Sequence, residues 1–97
     1  MNLESLESFL EIYEQGSLSK AAELLYLTQP ALSSRLAALE EELGVSLIER
    51  KKGVRGISFT KDGLLLAQHA RKLIELDRKT KLDVQQEQHR ELKSVFL

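Results

Sequence analysis

The apolar positions of this chain change their spacing several times, and each change marks an element. Leu3, Leu6, Phe9, Leu10 and Tyr13 recur at helical intervals with glutamates between them. Asn2 is a fitting cap for the start of that helix, and Gly16 for its end. Ser17 follows at once as the N-cap of a short second helix, where Leu18, Ala21, Ala22 and Leu25 make a narrow stripe. Two alanines there allow a neighbouring helix to come close.

The stretch YLTQPALSSRLAAL has the leucine and alanine of one continuous helix, yet Pro30 forbids it. The second helix therefore ends near Tyr26, the chain turns at Leu27-Thr28, and a third helix starts at Gln29. Thr28 caps it, and Pro30 falls in its first turn, where a missing amide proton costs nothing. Leu32, Leu36, Leu39 and Leu43 mark its inner face, and Gly44 suits a left-handed residue after its end.

Beyond Gly44 the period shortens. Leu47-Ile48-Glu49-Arg50 and Ile57-Ser58-Phe59 alternate around the basic, glycine-punctuated run KKGVRG, which predicts a two-stranded hairpin with a basic tip. Thr60 then caps a fourth helix running from Lys61 to about Lys93, roughly 50 Å long at 1.5 Å per residue. Its stripe holds Leu66, Ala67, Ala70, Leu73 and Ile74, and past Leu76 it turns polar. Such a helix can pair with a copy of itself along its first half. The core is expected from Leu6, Phe9, Leu25, Leu32, Leu36, Leu39, Leu47 and Phe59. Residues 1–60 thus make a compact domain, 61–93 a linker or dimerisation helix and 94–97 a tail.

Composition narrows the chemistry. The 97 residues contain no cysteine, which removes thiol catalysis and cysteine-ligated zinc. His69 and His89 sit twenty positions apart with no partner at ligand spacing, so no metal or cofactor is expected. No apolar run is long enough to span a bilayer. No nucleophile-and-base pair or phosphate-cradling glycine loop is present in its proper context, which argues against an enzyme. Net charge is only −1, but it is unevenly spread, at −4 over residues 1–16, +1 over 17–63 and +2 over 64–97. Arg50, Lys51, Lys52 and Arg55 cluster, and a patch matters more than a total.

Two helices joined by a short turn and followed by a basic hairpin predict a mainly α winged helix-turn-helix. The second helix of such a pair enters the DNA major groove, its first residues against base edges. Gln29 can pair with adenine, Pro30 and Ala31 can touch a thymine methyl, and Ser33 and Ser34 project next. Arg35 can reach guanine or a phosphate. Ser17, Lys20 and Thr28, with Arg50, Lys52 and Arg55 at the wing, are candidates for the phosphate backbone or an adjacent minor groove. The other reading is a helical module that pairs with a larger regulator and binds no DNA.

From Leu3 to about Leu76, LESFLEIYEQGSLSKAAELLYLTQPALSSRLAALEEELGVSLIER followed by ISFTKDG resembles the DNA-binding domain of LysR-type transcriptional regulators. The resemblance implies a homodimer joined through the long helix and an interrupted, often A/T-rich palindrome in double-stranded DNA. It implies base reading by Gln29, Pro30 and Ser33, with Arg50 and Arg55 at the wing, and a bacterial cytoplasmic protein at the nucleoid. Ser34 stands where relatives often have arginine, and the wing is slightly longer than common. Family members usually continue into an effector-binding domain. This chain stops at LKSVFL, so the expectation is a fragment or a naturally short form with no small-molecule ligand.

Overall fold

The computed structural model describes residues 1–49 and 56–96, with side chains as far as residue 87. The elements run α1 (Leu3–Gln15), α2 (Leu18–Leu24), α3 (Gln29–Leu43), β1 (Ile48–Glu49), β2 (Ser58–Phe59) and α4 (Lys61–Phe96). This is a mainly α winged helix-turn-helix continued by a long helix. The two strands are antiparallel, with Ile48 opposite Phe59 and Glu49 opposite Ser58.

The helix ends follow from local chemistry. The Asn2 carboxamide oxygen accepts the Ser5 amide at 2.8 Å and closes the first turn of α1. Gly16 and Gly44 take left-handed φ values of 63° and 70°, a region that favours glycine, and end α1 and α3. Gly44 donates to the Glu40 carbonyl at 2.8 Å. Leu43, expected on the inner face, is 38% exposed, because the helix ends there and the chain turns away from the core.

The core joins Phe9 and Ile12 of α1, Ala21 and Ala22 of α2, and Leu32, Leu36 and Leu39 of α3 with Leu47, Ile48 and Ala67. Leu25 and Phe59 are half-buried against it. Phe59 meets Phe9 edge-on at 6.0 Å between centroids and Tyr13 at 5.1 Å. Such pairs contribute about 0.5–1.5 kcal/mol beyond the area they bury. The Arg71 guanidinium also lies 5.6 Å from the Tyr13 ring centroid, so α1 holds both β2 and α4.

The start of α4 is fastened to the chain before the hairpin. The Thr60 hydroxyl donates to the Ser46 carbonyl at 2.6 Å and accepts the Gly63 amide at 3.0 Å. The Thr60 amide donates to the Leu47 carbonyl at 3.1 Å, and the Leu47 amide to a Glu40 carboxylate oxygen at 2.7 Å. Gly63 is buried in the first turn of α4. A Cβ placed on it would lie 2.1 Å from the Leu47 carbonyl oxygen, so α4 docks at this angle only because residue 63 has no side chain.

Two of the sequence expectations for α4 change. Ala67 and Ala70 are 2% and 0% exposed within the single chain, so they are spent on the fold and do not belong to a dimer surface. The helix also continues through Phe96, so residues 94–96 extend it and are no separate tail.

Candidate nucleic-acid interface

The turn between α2 and α3 is defined by backbone hydrogen bonds. Leu25 caps α2, and Tyr26 takes a left-handed φ of 57°. The Tyr26 amide donates to the Glu23 carbonyl at 3.2 Å and the Leu27 amide to the Ala22 carbonyl at 2.9 Å. This paired arrangement normally closes on glycine or asparagine. Leu27 then anchors the turn against the core. Thr28 returns to extended backbone, and its hydroxyl oxygen accepts the Ala31 amide at 3.2 Å.

The α3 helix divides its side chains cleanly. Leu32, Leu36 and Leu39 are buried, while Thr28, Gln29, Pro30, Ala31 and Ser34 are exposed and Ser33 is half-buried. No hydrogen bond from any described residue holds the Gln29 amide or the Ser34 hydroxyl. The first turn of α3 carries no acid, so its free amides and helix dipole present positive potential. The outer face is also small: after Ser34 come Ala37 and Ala38, both exposed. A narrow, neutral ridge of this kind can lie deep between two strands of phosphates. Glu41, exposed further along, discourages the carboxyl end from doing the same.

Arg35 belongs elsewhere. Its guanidinium donates to the Ser8 hydroxyl at 3.2 Å and pairs with the Glu4 carboxylate at 2.6 Å, both on α1. It lies about 100° round the helix from Ser34, in the direction away from Ser33. Within the chain, then, Arg35 ties α3 to α1, and any grip on phosphate would have to replace its bond to Glu4. Ser17 is half-buried and caps α2, its oxygen accepting the Lys20 amide at 3.3 Å. The Lys20 side chain is exposed and has no partner among the described residues. Arg50, Lys52 and Arg55 lie outside the described residues.

Along α4, Leu66 and Ile74 are half-buried. The exposed large apolar side chains described on this helix are Leu64, Leu65, Leu73, Leu76, Leu82 and Val84, among which Leu65, Leu73 and Leu76 are 53%, 41% and 60% exposed. Leu73 was anticipated from the sequence, whereas Leu65 and Leu76 were not. Lower on the same helix, Arg78 hydrogen-bonds Glu75 and holds its carboxyl below the usual glutamate range. Among the described residues no helix is long and apolar enough to cross a membrane.

The sequence reading missed Tyr26, Ser8, Glu40 and Gly63. Gly63 had left a signal, since glycine is costly inside a helix unless something approaches closely. The other three had none, because their partners come from distant parts of the chain or from a turn whose geometry is not written in one residue.

Residues 3–64 match the model of the bacterial regulatory helix-turn-helix protein, lysR family. The chain is 45% identical over 74 residues to the nitrogen assimilation regulatory protein nac of Klebsiella aerogenes, covering 76% of this chain and 24% of that protein. It is 41% identical over 85 residues to the SDS degradation transcriptional activation protein of Pseudomonas sp. (strain ATCC 19151), covering 88% and 27%. The chain thus spans about a quarter of the length of these relatives. Among solved structures, the CbnR_DBD-DNA complex superposes with a TM-score of 0.82 at 33% identity, covering 88% of this chain and 95% of that one.

Proposed function

Because this chain belongs to the LysR family of bacterial helix-turn-helix regulators, we propose that it is a sequence-specific DNA-binding domain acting in transcription regulation. The observation that carries the reading is the amino-terminal turn of α3. Its inner leucines are buried and its caps are made, while Gln29, Pro30, Ala31 and Ser34 remain exposed and unspent. The similarity to a structure that holds DNA supports the same assignment.

In this reading α3 enters the major groove with Gln29 against an adenine, Pro30 and Ala31 against thymine methyls, and Ser33 and Ser34 at neighbouring edges. Lys20, the Ser17 end of α2 and the wing arginines and lysine grip phosphate. Two copies pair along the exposed Leu65, Leu73 and Leu76 of α4, with half-buried Leu66 and Ile74 at the margin. The paired recognition helices then meet half-sites about one helical turn, or a multiple of it, apart.

Selection of duplexes from a random pool by the purified protein tests binding, specificity and half-site symmetry together. An interrupted palindrome is the expected product. On the selected duplex, Gln29→Ala should cost about 1–3 kcal/mol of discrimination at one base position. Equal weakening on every sequence would remove Gln29 from the base-reading set.

A further inference from the structure

We propose that Tyr26 is a DNA contact residue, its phenol bonding the sugar-phosphate backbone beside the groove that α3 enters. The inference rests on the DNA-binding reading and adds to it a residue outside the recognition helix.

The argument begins with a mismatch between residue and place. Tyr26 occupies the left-handed position that ends α2, with φ 57°, and it is the one described residue other than glycine with a positive φ. Glycine or asparagine fills such a position without strain, and a bulky side chain there is an outlier. The side chain returns nothing to the fold. It is 96% exposed, the most exposed of the large apolar residues described, and its hydroxyl has no partner among the described residues. A residue that strains the backbone and packs on nothing is explained by what it meets outside.

Position names the partner. Leu27 turns inward to the core, so Tyr26 stands on the outer side of the turn, and the exposed row resumes at Thr28 and Gln29. Three residues span at most about 10 Å, which places Tyr26 within roughly three base-pair steps of the base that Gln29 reads. Residues flanking the reading turn commonly bond phosphate or sugar, and tyrosine is among the side chains that do so. At neutral pH the phenol keeps its proton and donates it to a phosphate oxygen. Because the group is neutral, its contact releases no counterion.

Two variants separate this role from a structural one. Binding is measured by fluorescence anisotropy on a duplex selected by the wild-type protein and on a mixed-sequence duplex of equal length, each across a salt series. Tyr26→Gly should raise Tm by about 4 °C, because the strain is relieved. It should also weaken binding to both duplexes about tenfold. Tyr26→Phe should keep Tm and weaken both about fivefold, the effect of one neutral hydrogen bond. Neither should change the dependence of affinity on salt. Unchanged affinity in both variants overturns the proposal, as does a fall in Tm for Tyr26→Gly, which would place the ring in the fold. A loss confined to the selected duplex overturns the backbone assignment in favour of base contact. Wild-type protein that binds neither duplex overturns the DNA-binding reading itself, a result distinct from all the others.

Discussion

Gly63→Ala sets two physical expectations against each other. Helix propensity alone favours alanine over glycine by about 1 kcal/mol inside a helix, so the substitution looks stabilising. Packing says the reverse. The new methyl carbon would stand 2.1 Å from the Leu47 carbonyl oxygen and 3.1 Å from its carbon. A retreat of about 1 Å is needed to clear that overlap. The Leu47 peptide cannot give way freely, since its amide is held by Glu40 at 2.7 Å, its carbonyl by the Thr60 amide at 3.1 Å and its side chain is fully buried. Overpacking of this kind costs about 1–3 kcal/mol, and loss of the Thr60 bond adds about 1 kcal/mol. Against the propensity gain, the net is a destabilisation of about 2 kcal/mol. For a domain of this size that lowers Tm by about 10 °C. Thermal and urea unfolding followed by circular dichroism, at one fixed protein concentration because the proposed dimerisation would also shift Tm, measures it. A midpoint equal to or above wild type would show that α4 does not rest on Leu47 through residue 63.

Three shorter predictions follow from the same contacts. Glu40→Gln should destabilise by about 1–2 kcal/mol in urea unfolding, since the Leu47 amide loses a charged acceptor for a neutral one. Leu76→Asp should leave the monomer fold intact, because Leu76 is 60% exposed, and on the proposed pairing of α4 it should shift sedimentation equilibrium toward monomer. The Glu75 carboxyl, followed by NMR titration, should titrate below the ordinary glutamate value, and Arg78→Ala should move it upward. The sign follows from the depression: whatever the pair adds to α4 is present above the ordinary glutamate value and is lost as pH falls through the lowered one.

What the sequence discloses is local. Thr28-Gln29-Pro30 marks a helix start because a cap and a first-turn proline act within three residues. Gly44 marks an end because one backbone angle requires it, and the steps from Leu32 to Leu39 mark a face because helical period alone sets them. What it withholds is set by contact between elements. Ala67 and Ala70 share a stripe with Leu73, and the period cannot say that the alanines are buried at once by α4's own domain while Leu73 stays exposed. Glu40 sits in a run of three glutamates, and only the path of the chain after Gly44 brings Leu47 to it. Tyr26 looks like an ordinary helix-end aromatic until the turn gives it a positive φ.

Arg35 brings these threads to one measurement. It is the one basic residue on α3, so charge alone would assign it to DNA. Its bonds to Glu4 and Ser8 assign it to α1. If that holds, the base-reading helix contributes no cation, and the electrostatic grip lies wholly on Lys20 and the wing. Arg35→Ala should then destabilise by about 1–2 kcal/mol. A screened ion pair accounts for less than half of that, and the buried Ser8 hydroxyl left without its donor accounts for the rest. The dependence of log affinity on log salt should not change. Lys52→Ala, by contrast, should weaken binding to every sequence and flatten that slope by about 0.9, the value for one phosphate released. A slope that flattens by the same amount in Arg35→Ala means that Arg35 leaves Glu4 when DNA arrives, and the separation of reading from gripping between α3 and its neighbours fails.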